Sequence, residues 1–190
     1  MKRNLLIALL LIPFLGISQA KKPIDGFLGI KFGASKEEVI TALKARGGTP
    51  EENDDKSSLA FSNIKLGQRE SELFLVYFTD NKAYRAVFLF KTEQEAQTID
   101  YYNNLVNDIN GIYGEGKSEK TFKDPYSDGD GYETQAISLA KATYLTNWKS
   151  DGNLIQIFID TKLNIALSYN DGKLTDVEEK KTKEKEKSDY

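Results

Sequence analysis

The chain has 190 residues, 39% apolar and 11% aromatic, with 26 Lys and Arg against 29 Asp and Glu and a formal charge of −3. It contains neither histidine nor cysteine, which excludes a Ser-His-Asp triad, a thiol nucleophile, the usual Cys/His zinc site, haem ligation, a disulfide framework and lipid attachment through an N-terminal cysteine. No positive stripe is visible, so neither nucleic acid nor an anionic membrane surface is an expected partner, while ten Tyr and ten Phe supply enough apolar area for one packed core.

Lys2 and Arg3 precede an apolar run from Leu5 to Ile12, and Ser18-Gln19-Ala20 places small residues three and one before a cut ahead of Lys21. This is the pattern of a secretory signal over residues 1–20. Pro13 and Gly16 interrupt the apolar segment, which falls short of the roughly 20 residues that span a bilayer. Residues 21–175 are therefore expected to form a single exported bacterial domain, periplasmic or extracellular, with no membrane span in the mature form.

Residues 27–33 read as a short strand. Ser35-Lys36-Glu37-Glu38 is a capping box, in which the serine accepts from the third backbone N–H while the glutamate reaches back. Val39, Ile40 and Leu43 form the stripe of the helix it opens, and Gly47-Gly48 and Pro50 end that helix. After a polar loop over 51–58, strands are expected at about 59–66, 72–79 and 83–91. A two-residue turn at Asp80-Asn81 sets Leu73, Leu75 and Tyr77 beside Phe88, Ala86 and Tyr84. It sets Phe74, Val76 and Phe78 beside Val87, Arg85 and Ala83, so both faces of this hairpin are apolar.

Thr92-Glu93-Gln94-Glu95 repeats the capping box and opens a longer helix to about 110, with Ala96, Ile99, Tyr102, Val106 and Ile109 at helical spacing. Residues 115 to about 135 read as a loop. Asp151-Gly152 is a type I′ hairpin signal that places Tyr144, Thr146 and Trp148 opposite Ile159, Ile157 and Ile155. Leu163, Ile165, Leu167 and Tyr169 alternate in a last strand. The Glu/Lys-rich segment 176–190 reads as a frayed helix or a disordered tail.

The expected fold class is α+β: an antiparallel sheet of about six or seven strands, backed by two helices on one face, from two α-βββ units at about 34–91 and 92–169. Ile30-x-Phe32-Gly33-Ala34-Ser35-x-Glu37-Glu38-Val39, with Leu43 following and Gly48-Thr49-Pro50 closing, resembles the motif that opens repeats in β-lactamase-inhibitory-protein-like proteins and in the small outer-membrane assembly lipoproteins. The resemblance covers about twenty residues and implies an exported protein that binds other proteins through a helix-backed sheet. The chain departs from those families in carrying one helix per unit and no cysteine to acylate.

Chemistry-bearing residues concentrate in Asp124-Pro125-Tyr126-Ser127-Asp128-Gly129-Asp130-Gly131-Tyr132-Glu133. Clustered carboxylates with glycines suit calcium, yet the spacing is not that of an EF-hand. The candidate binding residues are Tyr126, Asp128, Asp130, Tyr132 and Glu133, with no catalytic residue, metal ligand or cofactor assigned. Arg85, flanked by Ala83 and Val87, is a weaker anion candidate, and Asp160 reads as the start of a turn. The leading reading is a non-enzymatic exported module whose open sheet face or 115–135 loop engages a protein or envelope ligand, as an inhibitor or assembly factor. The alternatives are a carboxylate-dependent or calcium-assisted hydrolase using acids of 124–133, and an assembly protein that works through its edge strands.

Overall fold

The two turns with the strongest local signatures set the hairpins of the sheet. Asp80 and Asn81 both lie at positive φ (48° and 58°), as do Asp151 and Gly152 (52° and 84°), the geometry whose twist matches that of the flanking strands. A computed structural model describes residues 22–188; the signal expected over 1–20 lies outside the described residues. The first half contains β1 (Gly26–Phe27), β2 (Ile30–Lys31), α1 (Lys36–Ala45), β3 (Thr49–Glu51), β4 (Ser58–Ser62), β5 (Lys65–Leu66), β6 (Arg69–Glu70), β7 (Leu73–Thr79) and β8 (Lys82–Phe90). The second contains α2 (Thr98–Tyr113), β9 (Lys117–Phe122), α3 (Glu133–Ser138), β10 (Ala142–Ser150), β11 (Asn153–Ile159), β12 (Ile165–Asn170) and α4 (Gly172–Ser188).

Eight strands form one antiparallel sheet in the order β3-β4-β7-β8-β12-β11-β10-β9. Each side is a four-stranded meander preceded by a helix, and the last strands of the two sides meet at the centre. The expectation of three strands per unit and about six or seven in all is thus corrected to four per side. The strands missed are the edges. β9, Lys-Ser-Glu-Lys-Thr-Phe, is almost wholly exposed, and β3 carries Pro50. Charge and proline are what an edge needs to discourage further pairing, and they erase the apolar alternation that identifies a strand.

Residues 115–135, expected to be a loop, therefore contain β9 and the start of α3. Residues 27–33 are not one strand but the small hairpin β1–β2, turned at Leu28 and Gly29. The first capping box forms as read: Glu38 N–H donates to Ser35 Oγ at 3.3 Å and Ser35 N–H to Glu38 Oε2 at 2.8 Å. The second does not. The Thr92 hydroxyl donates to Gln94 O at 2.9 Å and pairs with the Thr98 hydroxyl at 3.0 Å, and α2 begins only at Thr98, after a 3-10 turn at Glu95–Gln97. The 176–190 segment continues α4 as far as Ser188. Asp171 caps this helix by accepting from Leu174 N–H at 2.8 Å, and Lys181 reaches Asp80 and the Thr79 hydroxyl.

Over the span in which the two strands pair, β8 carries one residue more than β7. Phe78 pairs with Ala83, but Tyr77 pairs with Arg85, so Tyr84 is the bulged residue. The register beyond it slips by one from that expected for a plain two-residue turn. Phe74, Val76, Ala86 and Phe88 consequently share the core face, while Arg85 joins Tyr77 on the other, its guanidinium 5.5 Å from the ring centroid. The slip keeps the arginine charge out of the core, where leaving it unpaired would cost several kcal/mol.

The core lies between one sheet face and the helix layer. Val39 and Leu43 of α1 and Tyr102, Leu105, Val106 and Ile109 of α2 bury against Phe61, Phe74, Phe88, Phe90, Ile155, Ile157, Ile165 and Leu167. Phe74 and Phe88 sit 4.4 Å apart by ring centroids, and Phe88 contacts both Phe90 (6.0 Å) and Tyr169 (6.3 Å). One polar chain crosses this layer: Tyr102 Oη meets Thr146 Oγ1 at 2.6 Å, and Thr146 Oγ1 meets Ser118 Oγ at 2.9 Å. Thr146 is fully buried. Thr146→Val therefore strips Tyr102 of its hydroxyl partner and is expected to cost about 1–3 kcal/mol in urea unfolding. Combining it with Tyr102→Phe recovers part of that loss, which a double-mutant cycle reads directly.

Candidate functional site

A groove of about 1030 Å³ opens in the helix layer, over the seam where the two meanders meet. Its existence follows from dimensions. A helix is about 10 Å across and strands lie about 4.8 Å apart, so α1 and α2 together roof only about four strands. The rest of the layer is filled by smaller pieces, and the groove is where they do not close.

One wall is the hairpin β1–β2, which packs Phe27 against Phe74 at 5.9 Å. Gly26 permits this hairpin, since a Cβ there would lie 1.9 Å from Ile30 O. Leu28 turns it at φ 50°, a conformation costly for a branched residue and of the kind that gathers at functional sites. Its carbonyl accepts from Arg46 Nη1 at 3.3 Å. The opposite wall is α2, through Leu105, Ile109, Ile112 and Tyr113. Leu66, Gly67 and Arg69 of the β5–β6 hairpin close one end. Arg69 is tied to α2 by two hydrogen bonds to Asp108 Oδ2, from Nε at 3.0 Å and Nη2 at 2.8 Å, and stacks 4.8 Å from the Tyr101 centroid. Burial works against its charge, but Asp108 and Tyr101 outweigh that and hold its pKa above the ordinary value.

Tyr169 of β12 lines the same cavity. It is 5% exposed, and its hydroxyl has no hydrogen-bond partner among the described residues, although no fully enclosed side-chain polar atom there lacks one. The hydroxyl therefore opens onto the groove. Burial, with a smaller contribution from Tyr113, pushes its pKa far above the ordinary tyrosine range, so it stays a neutral donor. The rim is cationic. Lys22, Lys31, Arg46 and Arg69 line the groove against two acids, Asp25 and Asp108. Lys31 pairs with Asp25 and Arg69 with Asp108. Arg46 and Lys22 pair with no carboxylate among the described residues, and Lys22 lies 5.8 Å from the Tyr113 centroid.

A second cavity of about 390 Å³ adjoins through the shared Lys22 and Tyr113 and includes Trp148. Trp148 Nε1 donates to Gly114 O at 2.8 Å and Asn110 Oδ1 at 3.0 Å. Gly116 leaves room for that indole, since a Cβ there would lie 2.5 Å from it. Trp148 is the chain's single tryptophan and so reports on this end of the groove.

The residues singled out from the sequence lie elsewhere. Asp130 accepts from Ser127 N–H and Tyr132 N–H, both at 2.8 Å, Glu133 accepts from Gly129 N–H at 2.8 Å, and Asp128 pairs with Lys120. These carboxylates brace their own loop, and no metal-competent cluster of three or more His, Cys, Asp or Glu occurs among the described residues. Tyr126 is half-buried and Tyr132 is 59% exposed. Asp160 accepts from Lys162 N–H and Asn164 N–H, as its reading as a turn starter requires. The sheet face opposite the core carries the apolar row Leu73, Leu89, Ala166, Phe158 and Leu145 and, beside it, Ala60, Leu75 and Val87, all buried or half-buried between the strands. Among the described residues no helix is long and apolar enough to cross a membrane.

Tyr169, Arg46 and Lys22 were not marked by the sequence. The available signal was a hydroxyl ending the row Leu163, Ile165, Leu167, Tyr169, where an aliphatic residue would complete the pattern. Comparison with protein-family models, curated proteins and solved structures finds no match to this chain.

Alkaline pH provides a test of the buried tyrosines. Burial raises the pKa of Tyr169, Tyr102, Tyr144, Tyr84, Tyr101 and Tyr113. A raised folded-state pKa contributes stability that is complete below the unfolded value of about 10 and is lost as pH rises through the folded one. The melting temperature is expected to hold to about pH 9 and to fall above about pH 10, with a shallower fall in Tyr169→Phe.

Proposed function

We propose that the chain is an exported, non-enzymatic binding module that holds its ligand in the groove between the β1–β2 hairpin and α2. The observation that carries this reading is the groove itself: a cavity of about 1030 Å³ in which the apolar side chains Phe27, Leu105 and Ile109 lie beside charged and polar ones, among them Arg46, Arg69 and Tyr169. A concave site of this size, with apolar surface to bury a ligand and polar groups to orient it, suits a small molecule. This reading moves the binding surface from the 115–135 loop and the open sheet face to the helix side. The signal pattern of residues 1–20 supports export, and the likeness of the Ile30 to Pro50 motif to exported binding proteins accords with it.

Two measurements test the reading. The mass of the secreted protein is expected to place the mature N-terminus at Lys21. A neutral apolar dye, Nile red, is expected to bind with one-to-one stoichiometry. Ile112 lines the groove yet is 50% exposed, so Ile112→Lys replaces apolar wall by a charge without disturbing the core. The variant is expected to weaken dye binding about tenfold, the lost apolar contact being worth about 1.4 kcal/mol, with an unchanged melting temperature. Unaltered dye affinity in that variant would falsify the groove as the binding site.

A further inference from the structure

From the charge and polarity of the groove we infer that its ligand is an amphipathic organic anion, with an acidic head on the Tyr169 hydroxyl and an apolar body along Phe27, Leu105 and Ile109. The inference rests on the groove reading above and adds the chemical class. Two independent observations support it.

The first is the sign of the charge. The chain as a whole carries −3, yet the groove is lined by four cationic side chains against two acidic ones. The pairs Lys31–Asp25 and Arg69–Asp108 neutralise one another, which leaves the fields of Arg46 and Lys22 uncompensated. A cleft with low-dielectric walls concentrates that field on whatever enters. The second observation is Tyr169. A hydroxyl on a side chain only 5% exposed, donating to nothing among the described residues, leaves a hydrogen-bond donor facing the groove, from which a ligand oxygen can accept. Because burial holds this phenol neutral, it enters the site as a hydrogen-bond donor, and a carboxylate is the stronger acceptor for it.

The class follows from combining these. A neutral apolar ligand uses the floor but neither cation, and a cationic amphipath is repelled by both. Small inorganic anions use the field and leave the apolar floor unfilled. The molecule that satisfies all three has one acidic group and an aliphatic or aromatic body.

The test uses the mature protein with dodecanoate, dodecanol and dodecyltrimethylammonium as probes below their aggregation limits, read by calorimetry and by Trp148 fluorescence. Dodecanoate is expected to bind at least about tenfold more tightly than dodecanol, and the cation weakest. Arg46→Gln with Lys22→Gln is expected to cut dodecanoate affinity about tenfold and dodecanol affinity by several-fold less. Tyr169→Phe is expected to weaken both oxygen-bearing probes by about threefold to tenfold. Since that hydroxyl makes no bond within the fold, the variant keeps or raises its melting temperature, which separates a ligand contact from a structural one. Equal affinity for dodecanoate and dodecanol would overturn the anionic class and leave the groove reading standing. Unaltered binding of both probes to Tyr169→Phe would overturn the placement of the head. Failure of every probe to bind or to displace Nile red, in a protein with a normal melting temperature, would overturn the groove reading itself.

Discussion

The antiparallel ladder between β8 and β12 is the contact on which the rest of the molecule depends. It is the one strand pairing that joins the two meanders of the main sheet, running from Ile165 opposite Phe90 to Asn170 opposite Arg85. On its core side Phe88, Leu167, Ala86 and Tyr169 lie side by side, all nearly or wholly inaccessible. Burial of one such aromatic or aliphatic side chain is worth about 1.5–3 kcal/mol. A four-stranded meander with a single helix leaves its innermost strand as an open edge, so neither half is complete without the other.

The groove is a consequence of the same seam. Each helix is tied to its own meander: α1 by loop bonds such as Gly33 N–H to Ala83 O at 2.8 Å, α2 by the Tyr102–Thr146 contact and by Asn110 at Trp148. Helices held apart in this way do not meet over the centre, and the hairpins β1–β2 and β5–β6 close the gap only in part. The Tyr169 hydroxyl, on a central strand, thereby faces the groove while its ring packs on Phe88. The polar group on the floor and the cations on the rim come from segments remote in sequence, so the site belongs to the assembled layer and to no single motif.

Much of the fold was legible. Asp80-Asn81, Asp151-Gly152 and the Ser35 capping box each carry their information within about four residues, and the structure places all three as read. The apolar rows of β7, β8, β11 and β12 were equally plain. What failed did so for identifiable reasons. β3 and β9 are edges, whose proline and charges serve against aggregation and mimic a loop. The Tyr84 bulge changes register without changing composition, so Arg85 was assigned to the wrong face. The acids of 124–133 drew notice as a cluster, yet local backbone N–H groups occupy Asp130 and Glu133 at 2.8 Å.

The sequence by itself determined the α+β class, the principal hairpins, the entry of the first helix and the absence of histidine and cysteine chemistry. These depend on local backbone preference and residue type, which neighbouring residues suffice to encode. The tertiary structure alone decided how the two meanders join, which side chains line the groove between the β1–β2 hairpin and α2, and which hydroxyl is left facing it. Those outcomes turn on packing geometry, helix width against strand spacing and one inserted residue in β8, and each is a relation between segments that no short stretch of chain contains.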